Sequence, residues 1–326
     1  MKISVEGVRS GDEGIIARVI SMVENQRQQV FPLLKELYRG TKLAYLAGIT
    51  GPPGSGKSTL VEKLVLSWIA EGEKVAVIAI DPSSEFSGGA LLGDRIRMGG
   101  ISTEKNVFIR SMATRGYLGG LNPAIFDTVV VLSAAGFQKI VIETVGVGQN
   151  EIDIVRLADT TMVVTVPEAG DEIQSFKAGL METGDIFILN KADQPTANRM
   201  ELILKQMLEM NDRQNHSSSD SGWQVPIVKT VATEGEGIEE LKKAVARHRD
   251  FLSRSRKERN NRSRVIRNHV VHLMEEYLRS HYIDPLLESS YFQEILTGIL
   301  ARKNDPYTAV EQLVKFINKE QGNHEN

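Results

Sequence analysis

The chain has 326 residues, a formal net charge of −3 at pH 7 and no cysteine. This length suits one large domain or two modest ones, and a chain without cysteine forms no disulfide and no thiolate metal site. The slightly acidic balance argues against nucleic acid as the main partner. No run approaches the roughly 18 apolar residues of a membrane span, and the N-terminus lacks the apolar core of a signal peptide. We therefore expect no membrane span and a cytoplasmic protein, although a mature organellar form fits the same composition.

The N-terminal residues predict two helices, because apolar residues recur at helical spacing in two stretches. The first stretch contains Ile15, Ile16, Val19, Ile20 and Val23, and the second contains Val30, Leu33, Leu34 and Leu37. We predict a helical N-terminal arm over residues 1–40.

A glycine-rich loop follows the apolar run 44–49 and precedes a predicted helix at Ser58–Ala70. Its residues are Gly51, Pro52, Pro53, Gly54, Ser55, Gly56, Lys57 and Ser58, with Thr59 next. This is the Gly-x-x-x-x-Gly-Lys-Ser phosphate loop between a strand and a helix. Glycines let backbone N–H groups turn inward around a phosphate, the helix N-terminus adds partial positive charge, and Lys57 adds a full charge. The Ser58 hydroxyl is expected to bind Mg²⁺. The loop predicts a nucleoside triphosphate site.

Strand-like and helical runs alternate beyond this loop. The predicted strands are Val75–Ile80, Val107–Met112, Ile140–Ile142, Met162–Val166, Ile186–Leu189 and Ile227–Val231. The predicted helices between them include Pro123–Ala135, Glu172–Met181 and Asn198–Met210. This alternation predicts an α/β fold with a doubly wound, mostly parallel sheet. We assign the domain to residues 41–252, with a mobile polar loop at 211–222 and a helical C-terminal region at 253–326.

Acidic residues after the second strand suit a magnesium site. Asp81 ends that strand, and in an open parallel sheet this end points into the ligand crevice. It is a candidate ligand of Mg²⁺ or of the attacking water, although Asp before Pro82 also caps turns. Asp94 and Arg97 lie in a stretch rich in glycine and charge that suits a loop reorganising around phosphate and Mg²⁺. A solvated connector is the alternative for this stretch. Arg97 is a candidate to move toward the phosphates, with a surface salt bridge as its alternative.

The strand at 140–142 runs into Glu143-Thr144-Val145-Gly146-Val147-Gly148-Gln149. Ordinary GTPases carry Asp-x-x-Gly here, where the carboxylate holds a Mg²⁺-bound water and the glycine N–H contacts the γ-phosphate. Glu143 and Gly146 occupy those two positions, with an acidic side chain one methylene longer. This departure excludes a plain Ras-like protein. Gln149 is a candidate to orient the attacking water.

Asn190-Lys191-Ala192-Asp193 follows another buried strand and suits guanine. The Asp193 carboxylate can accept two hydrogen bonds, from the guanine ring N–H and from its exocyclic amino group. Asn190 can reach the far edge of the base, and the Lys191 stem can lie along its face. A buried acceptor that requires donors rejects a ligand lacking them by roughly 10⁴-fold or more. The sequence therefore predicts GTP rather than ATP.

These motifs, in this order, resemble those of the MeaB/ArgK family of GTPases. The resemblance rests on the phosphate loop and on further segments that reach almost to the C-terminus. They are Asp81-Pro82-Ser83-Ser84, Gly93-Asp94-Arg95, Ser111-Met112-Ala113-Thr114-Arg115-Gly116, Glu143 to Gln149, Asn190 to Asp193, and Asp305-Pro306-Tyr307-Thr308-Ala309. It implies a homodimeric GTPase that acts as a chaperone of an adenosylcobalamin-dependent acyl-CoA mutase, usually methylmalonyl-CoA mutase. Such a chaperone gates cofactor loading and protects the mutase, and residues 253–326 would form the dimer.

The same resemblance implies roles for individual residues. Asp81, Asp94 and Glu143 would surround Mg²⁺ together with Ser58. The loop around Asp94 would be the first switch and Gly146–Gln149 the second. Residues 168–174 would form a third switch that meets the mutase, although family members usually have glycine near position 168, where this chain has Glu.

Two other classes remain open at this point. One is a P-loop kinase or ATPase of the ArgK type, linked to basic amino-acid transport. The other is a targeting GTPase of the signal-recognition type, which would carry a Met-rich or membrane-associated module. The helical C-terminal region does not resemble such a module, and the Asn-Lys-x-Asp segment argues against most kinases.

Overall fold

The structure is a computed structural model that describes residues 3–25, 27–81, 98–113, 123–144, 157–167, 184–215, 222–255 and 257–324. The chain divides into two compact units, Met1–Val265 and Ile266–Asn326. The first unit contains a sheet flanked by helices, and the described part of the second unit is helical.

All strand pairs of the sheet are parallel. Its seven strands are β1 (Tyr45–Thr50), β2 (Val75–Asp81), β3 (Val107–Ala113), β4 (Lys139–Glu143), β5 (Thr160–Thr165), β6 (Ile186–Asn190) and β7 (Ile227–Thr230). Their spatial order is β3-β2-β4-β1-β5-β6-β7. The carboxyl ends of parallel strands meet along one edge of the sheet, and β1 lies in the middle, between β4 and β5. The predicted α/β fold with a doubly wound parallel sheet is confirmed.

The described helices of the first unit lie before, between and after these strands. They are α1 (Val5–Arg9), α2 (Glu13–Asn25), α3 (Arg27–Arg39), α4 (Lys57–Ile69), α5 (Pro123–Ala134), α6 (Ala197–Asn215) and α7 (Ile238–Arg254). A further helix, α8 (Lys257–Leu278), begins in the first unit and continues in the second.

Side chains of the central strands alternate between two apolar cores. Ala76 and Ile78 of β2 pack into a core shared with α2, α3 and α5. Val75 and Val77 point to the other face and pack with α4 and α7. Successive strand residues face opposite sides, so a strand covered on both faces is apolar throughout. A smaller core packs α6 against β5 and β6.

The N-terminal helices belong to the first unit. Apolar residues of α2, among them Ile16 and Val19, are fully buried in the core that also holds α5. Arg110 of β3 forms an ion pair with Glu24 of α2 and donates a 3.0 Å hydrogen bond to the Ser21 hydroxyl. These contacts fix α2 on one face of the sheet near its β3 edge.

Helix α6 extends further than the sequence pattern predicts. It continues to Asn215, so the first residues of the segment predicted as a loop, 211–215, are helical. Apolar periodicity marks only the part of a helix that packs on a core, and a polar helix end gives no such signal. The remainder of that loop, 216–221, and the predicted helix at 172–181 lie outside the described residues.

The second unit contains the rest of α8, a π-helical turn at Arg279–Ile283, α9 (Asp284–Leu287), α10 (Ser290–Leu300) and α11 (Pro306–His324). Several large apolar side chains in this unit are exposed. They are Ile266, Val270, Val271, Met274, Tyr277, Leu278, Ile283, Leu287, Leu296, Leu300, Tyr307, Val310 and Val314. Among all described residues, no helix combines the length and apolar character needed to cross a membrane.

Candidate nucleotide site

The predicted phosphate loop lies at the carboxyl edge of the sheet, directly after β1. Open parallel sheets bind their ligands at this edge. Residues 51–56 join β1 to α4, whose first residue is Lys57, so the loop amides and the helix N-terminus share one crevice. The N-terminus of a helix attracts anions because its first N–H groups have no partner within the helix.

Two glycines of the loop lie so close to neighbouring residues that a side chain would not fit. A Cβ atom on Gly51 would lie 2.2 Å from the carbonyl oxygen of Val164 in β5. A Cβ atom on Gly56 would lie 2.4 Å from Nδ2 of Asn190. Gly56 also has a φ of 88°, in the left-handed region that side chains with a Cβ rarely adopt. Any larger residue at these two positions would displace the loop from its neighbours.

The ammonium group of Lys57 lies inside the loop. Its Nζ donates hydrogen bonds to the carbonyl oxygens of Gly51, at 2.7 Å, and Pro52, at 2.9 Å. Lys57 is buried, whereas Pro53 and Gly54 at the tip of the loop are exposed. The loop therefore carries a full positive charge at its centre, next to the N-terminus of α4.

Ser58 and Glu143 meet although they are far apart in sequence. The Ser58 hydroxyl donates a 2.7 Å hydrogen bond to Oε1 of Glu143, at the end of β4, and Glu143 is buried. Thr144 bonds back to β1 through its hydroxyl, 3.1 Å from the Thr50 hydroxyl, and through its N–H, 3.1 Å from the Ile49 oxygen. The end of β4 is thus fixed against β1 and α4.

Hydroxyl and carboxylate oxygens are the hard donors that Mg²⁺ prefers, so the pair fits that ion. In the described part of the chain, no three His, Asp or Glu side chains cluster as a metal cage. Two protein ligands nevertheless suit Mg²⁺, which keeps several waters and shares phosphate oxygens in nucleotide sites.

The other predicted residues of the phosphate and metal site are only partly described. Asp81 is the last residue of β2, two positions beyond Ala79, which pairs with Glu143 of the neighbouring β4. Nothing is described of its side chain. Asp94, Arg97, Gly146 and Gln149, and the predicted third switch at 168–174, lie outside the described residues.

Asn190 links three segments around the phosphate loop. Its Nδ2 donates a 2.8 Å hydrogen bond to the carbonyl oxygen of Ser55. Its Oδ1 accepts hydrogen bonds from the Thr230 hydroxyl at 3.0 Å and from the Ala232 N–H at 3.1 Å. A carboxamide has two N–H donors, so one is committed to the loop and one is left for a ligand. Asn190 is buried, and its orientation is fixed from both ends of the amide.

The residues after Asn190 turn sharply out of β6. Lys191 has a φ of 55°, which is uncommon for a residue with a side chain, and the next N–H, of Ala192, donates to the Thr230 oxygen at 3.0 Å. Asp193 is exposed at the same edge of the sheet. All of the described members of the predicted site therefore lie at the carboxyl ends of β1, β2, β4 and β6.

Thr230 and Ala232 are site residues that the sequence reasoning missed. Thr230 is the last residue of β7 and Ala232 lies two positions further on, and both hold Asn190 in place. A usable signal was present, because Thr230 is a polar residue at the carboxyl end of a predicted apolar strand. Its partner could not be deduced, since the two residues are 40 positions apart in sequence.

Comparison with known proteins assigns this chain to a family. The family model described as Methylmalonyl Co-A mutase-associated GTPase MeaB matches residues 16–284. This chain belongs to the MeaB family. The predicted resemblance is confirmed, and so is the enzyme class, because MeaB proteins are P-loop GTPases.

Relatives and a solved structure agree with this assignment. A protein of Pyrococcus abyssi named as a GTPase is 44% identical over 313 residues, which cover 96% of this MeaB-family chain and 95% of the relative. The GTPase ArgK of Escherichia coli is 31% identical over 320 residues, 96% of each chain. A solved structure described as an LAO/AO transport system kinase has a TM-score of 0.64 with 24% identity and covers 96% of both chains. This last likeness shows the shared fold.

Proposed function

We propose that this MeaB-family GTPase binds Mg²⁺·GTP at the carboxyl edge of its sheet and hydrolyses it. The nucleotide state would then control the loading of adenosylcobalamin onto a B12-dependent acyl-CoA mutase and the protection of that mutase. The observation that carries the nucleotide part is the convergence of Lys57, the Ser58–Glu143 pair and Asn190 in one crevice. The mutase part is supported by the description of the family.

The phosphate end of the nucleotide would lie in the loop that surrounds Lys57. Its ammonium group now donates to two loop carbonyls, and the same donors can reach the β- and γ-phosphates, with residues 51–59 supplying backbone N–H groups. Phosphoryl transfer needs positioning and charge neutralisation more than covalent help. We assign both tasks to Lys57 and the start of α4.

Ser58 and Glu143 would hold Mg²⁺, with Asp81 and Asp94 as further proposed ligands. Bound Mg²⁺ neutralises negative charge on the β- and γ-phosphate oxygens. Glu143 keeps the Ser58 hydroxyl oriented toward the crevice through their 2.7 Å hydrogen bond. Arg97, Gly146 and Gln149 remain proposals for charge stabilisation, γ-phosphate contact and water orientation.

Guanine would lie beyond the loop, against the segment 190–193. The hydrogen bonds to Ser55 and Thr230 fix the orientation of the Asn190 amide. Its second N–H can therefore donate to an acceptor of the base. The Asp193 carboxylate would accept from the ring N–H and the amino group of guanine, and the Lys191 stem would cover its face.

Coupling to the mutase would run through the end of β4. Glu143 and Thr144 are fixed by Ser58 and Thr50, and the predicted second switch follows them directly. A partner that binds this segment would change nucleotide affinity, and nucleotide would change partner affinity by the same factor. We expect slow hydrolysis by the free protein and faster hydrolysis with the mutase.

We also propose that the protein is a homodimer formed through residues 253–326. The second unit exposes many large apolar side chains on α8, α10 and α11, including Met274, Leu300 and Tyr307. Exposed apolar patches of this kind mark protein interaction sites. Light scattering of the purified chain checks this, and a monomeric mass at micromolar concentration would contradict it.

A second candidate is the phosphotransferase of the ArgK type that the sequence left open, although the relative ArgK of Escherichia coli is itself named a GTPase. A kinase transfers the γ-phosphate to an acceptor, whereas a GTPase releases it to water. Radiolabelled γ-phosphate recovered wholly as inorganic phosphate supports the GTPase. Label on the protein or on a basic amino acid would support the kinase.

The test of the main proposal is GTP hydrolysis measured with and without an adenosylcobalamin-dependent methylmalonyl-CoA mutase. We expect the rate to rise roughly tenfold or more with the mutase, the scale of typical coupling energies. Lys57→Ala is the control, which should be inactive in both conditions. A rate unaffected by the mutase would contradict the proposed partner and leave the GTPase assignment standing.

A further inference from the structure

A cavity of about 440 Å³ lies at the other edge of the sheet, at the amino ends of the central strands. Its lining includes the residues that lead into β1, β4 and β5, together with residues of α7 and the start of α8. All of them belong to the first unit. Ligand pockets of about 300–1,000 Å³ are typical for small molecules.

The charge of this cavity is positive. Lys42, Arg249 and Arg262 contribute three positive formal charges and Asp159 contributes one negative charge, which leaves +2. Oδ2 of Asp159 accepts a 2.9 Å hydrogen bond from the N–H of Leu46, which anchors it to β1. The lining therefore favours an anionic ligand, and two negative charges would match its formal charge.

Tyr45 gives the cavity a rigid aromatic wall. Its hydroxyl points away into the protein and hydrogen-bonds to Thr160, which in turn lies 2.7 Å from Nδ1 of the buried His248. The guanidinium carbon of Arg249 lies over the Tyr45 ring, 5.3 Å from its centroid. This cation–π contact favours a position of the exposed Arg249 side chain next to the Tyr45 ring, where its N–H groups can donate to a ligand in the cavity.

Apolar groups complete the lining. Leu43, Phe137 and Leu252 line the same space, and the last two are buried side chains with no polar atom to offer. Ligand sites commonly combine such apolar walls with a few placed polar groups. A ligand with a compact apolar body and its anionic groups toward Arg249 and Lys42 would use both kinds of surface.

We propose that this cavity binds a small organic dianion, a dicarboxylate or a phosphate monoester with a compact apolar body. Arginine recognises both groups, because its planar fork matches the geometry of carboxylate and phosphate oxygens. The site is separate from the nucleotide crevice. β1 connects the two, and its six residues span about 17 Å at about 3.3 Å for each step. The proposal does not depend on the proposed mutase partner.

The test uses the full chain with excess Mg²⁺·GDP, so that the phosphate loop is occupied. Phthalate represents the dicarboxylates, phenyl phosphate represents the phosphate monoesters, and benzyl alcohol is the neutral probe. Isothermal titration should give a dissociation constant of about 1 mM or lower for at least one dianion, and no detectable binding of benzyl alcohol. The better of the two dianions identifies the anionic group that the cavity accepts.

Two variants locate the binding. Arg249→Gln removes the guanidinium charge over Tyr45. It should weaken dianion binding about tenfold to a hundredfold, the usual effect of losing a charge-assisted hydrogen bond. Lys42→Gln changes an exposed side chain and should weaken dianion binding several-fold. Lys35→Gln, on the exposed face of α3, is the matched control and should change nothing.

Failure of both dianions to bind at about 10 mM would overturn the proposal. So would equal binding of benzyl alcohol, or an affinity that neither Arg249→Gln nor Lys42→Gln alters. If Arg249→Gln fails to fold, as judged by circular dichroism, Lys42→Gln alone decides the question.

Discussion

The hydroxyl of Ser58 donates a 2.7 Å hydrogen bond to the carboxylate of Glu143, across 85 positions of sequence. Ser58 lies in the first turn of α4 and Glu143 at the end of β4, so the bond joins the phosphate loop to the strand that precedes the predicted second switch. A hydrogen bond to a charged acceptor is stronger than one between neutral groups. The phosphate loop is therefore linked directly to the end of β4.

Glu143→Gln removes the negative charge of this side chain and keeps its shape. The amide oxygen can still accept from Ser58, so we expect the fold to be kept and the Mg²⁺ dependence of nucleotide binding to be lost. Hydrolysis of GTP should fall about 100-fold, the usual cost of removing one electrostatic contributor. The measurement is GDP affinity with Mg²⁺ and with EDTA. Wild-type dependence on Mg²⁺ in the variant would contradict the metal assignment.

Asn190→Ala should lower both stability and nucleotide affinity. The side chain makes three buried hydrogen bonds, each contributing about 1 kcal/mol, so the free energy of unfolding should fall by about 3 kcal/mol. Thr230→Val keeps the volume and removes one of these bonds, so it should cost about 1 kcal/mol. Urea denaturation measures both. Equal effects of the two variants would show that Asn190 is not the cross-link described.

Gly56→Ala and Gly54→Ala form a matched pair. Both glycines have positive φ values, 88° and 74°, so alanine is strained at either position by roughly 1 kcal/mol. Only at Gly56 would the new Cβ meet another group, the Asn190 amide at 2.4 Å, whereas nothing lies within 4 Å at Gly54. We expect GDP affinity to fall at least about tenfold more for Gly56→Ala. Similar affinities for the two variants would rule out a tight contact between the loop and Asn190.

Alkaline pH should destabilise the protein through Tyr45. Burial raises the pKa of Tyr45 well above its usual value of about 10, and the nearby carboxylates of Asp159 and Asp185 raise it further. The folded state therefore favours the protonated phenol. The stability linked to this group is fully present below about pH 10, and is lost at up to about 1.4 kcal/mol for each unit as the pH rises above that value.

The control for this effect is Tyr45→Phe, which cannot ionise. Denaturant unfolding of both proteins from pH 8 to pH 11 should give parallel stabilities up to about pH 9.5 and a steeper decline for the wild type above it. Lysines titrate in the same range, but they are common to both proteins. Parallel curves over the whole range would contradict a Tyr45 pKa raised by burial.

Local patterns were sufficient to predict the sheet and the phosphate loop. The loop needs a fixed spacing of glycine, lysine and serine between a strand and a helix, and each of these features is local in sequence. The central strands are largely apolar because both of their faces are covered, so their residues indicate buried strands directly. Asn190 could be predicted in the same way, because it ends such a strand, β6.

Contacts between distant segments could not be predicted. Thr230 and Ala232 hold Asn190 from another strand, and only the order β5-β6-β7 brings them together. The cavity around Tyr45 combines five separate segments, none of which carries a motif. The polar end of α6, at 211–215, gave no periodic signal and was predicted as a loop. The roles of Asp81, Asp94, Arg97, Gly146 and Gln149 stay predictions, as do the boundaries at residues 40 and 252.

The central claim is that the crevice after β1 and β6 binds a guanine nucleotide, and base selection tests it most directly. Calorimetric titration with GDP, ADP and XDP should give wild-type affinity for GDP at least about 10⁴-fold above that for ADP. Asp193→Asn should reverse the preference between GDP and XDP, because the amide donates where the carboxylate accepted. Lys57→Ala should weaken all three diphosphates. Comparable binding of ADP and GDP by the wild type, or an unchanged GDP preference in Asp193→Asn, would contradict the claim.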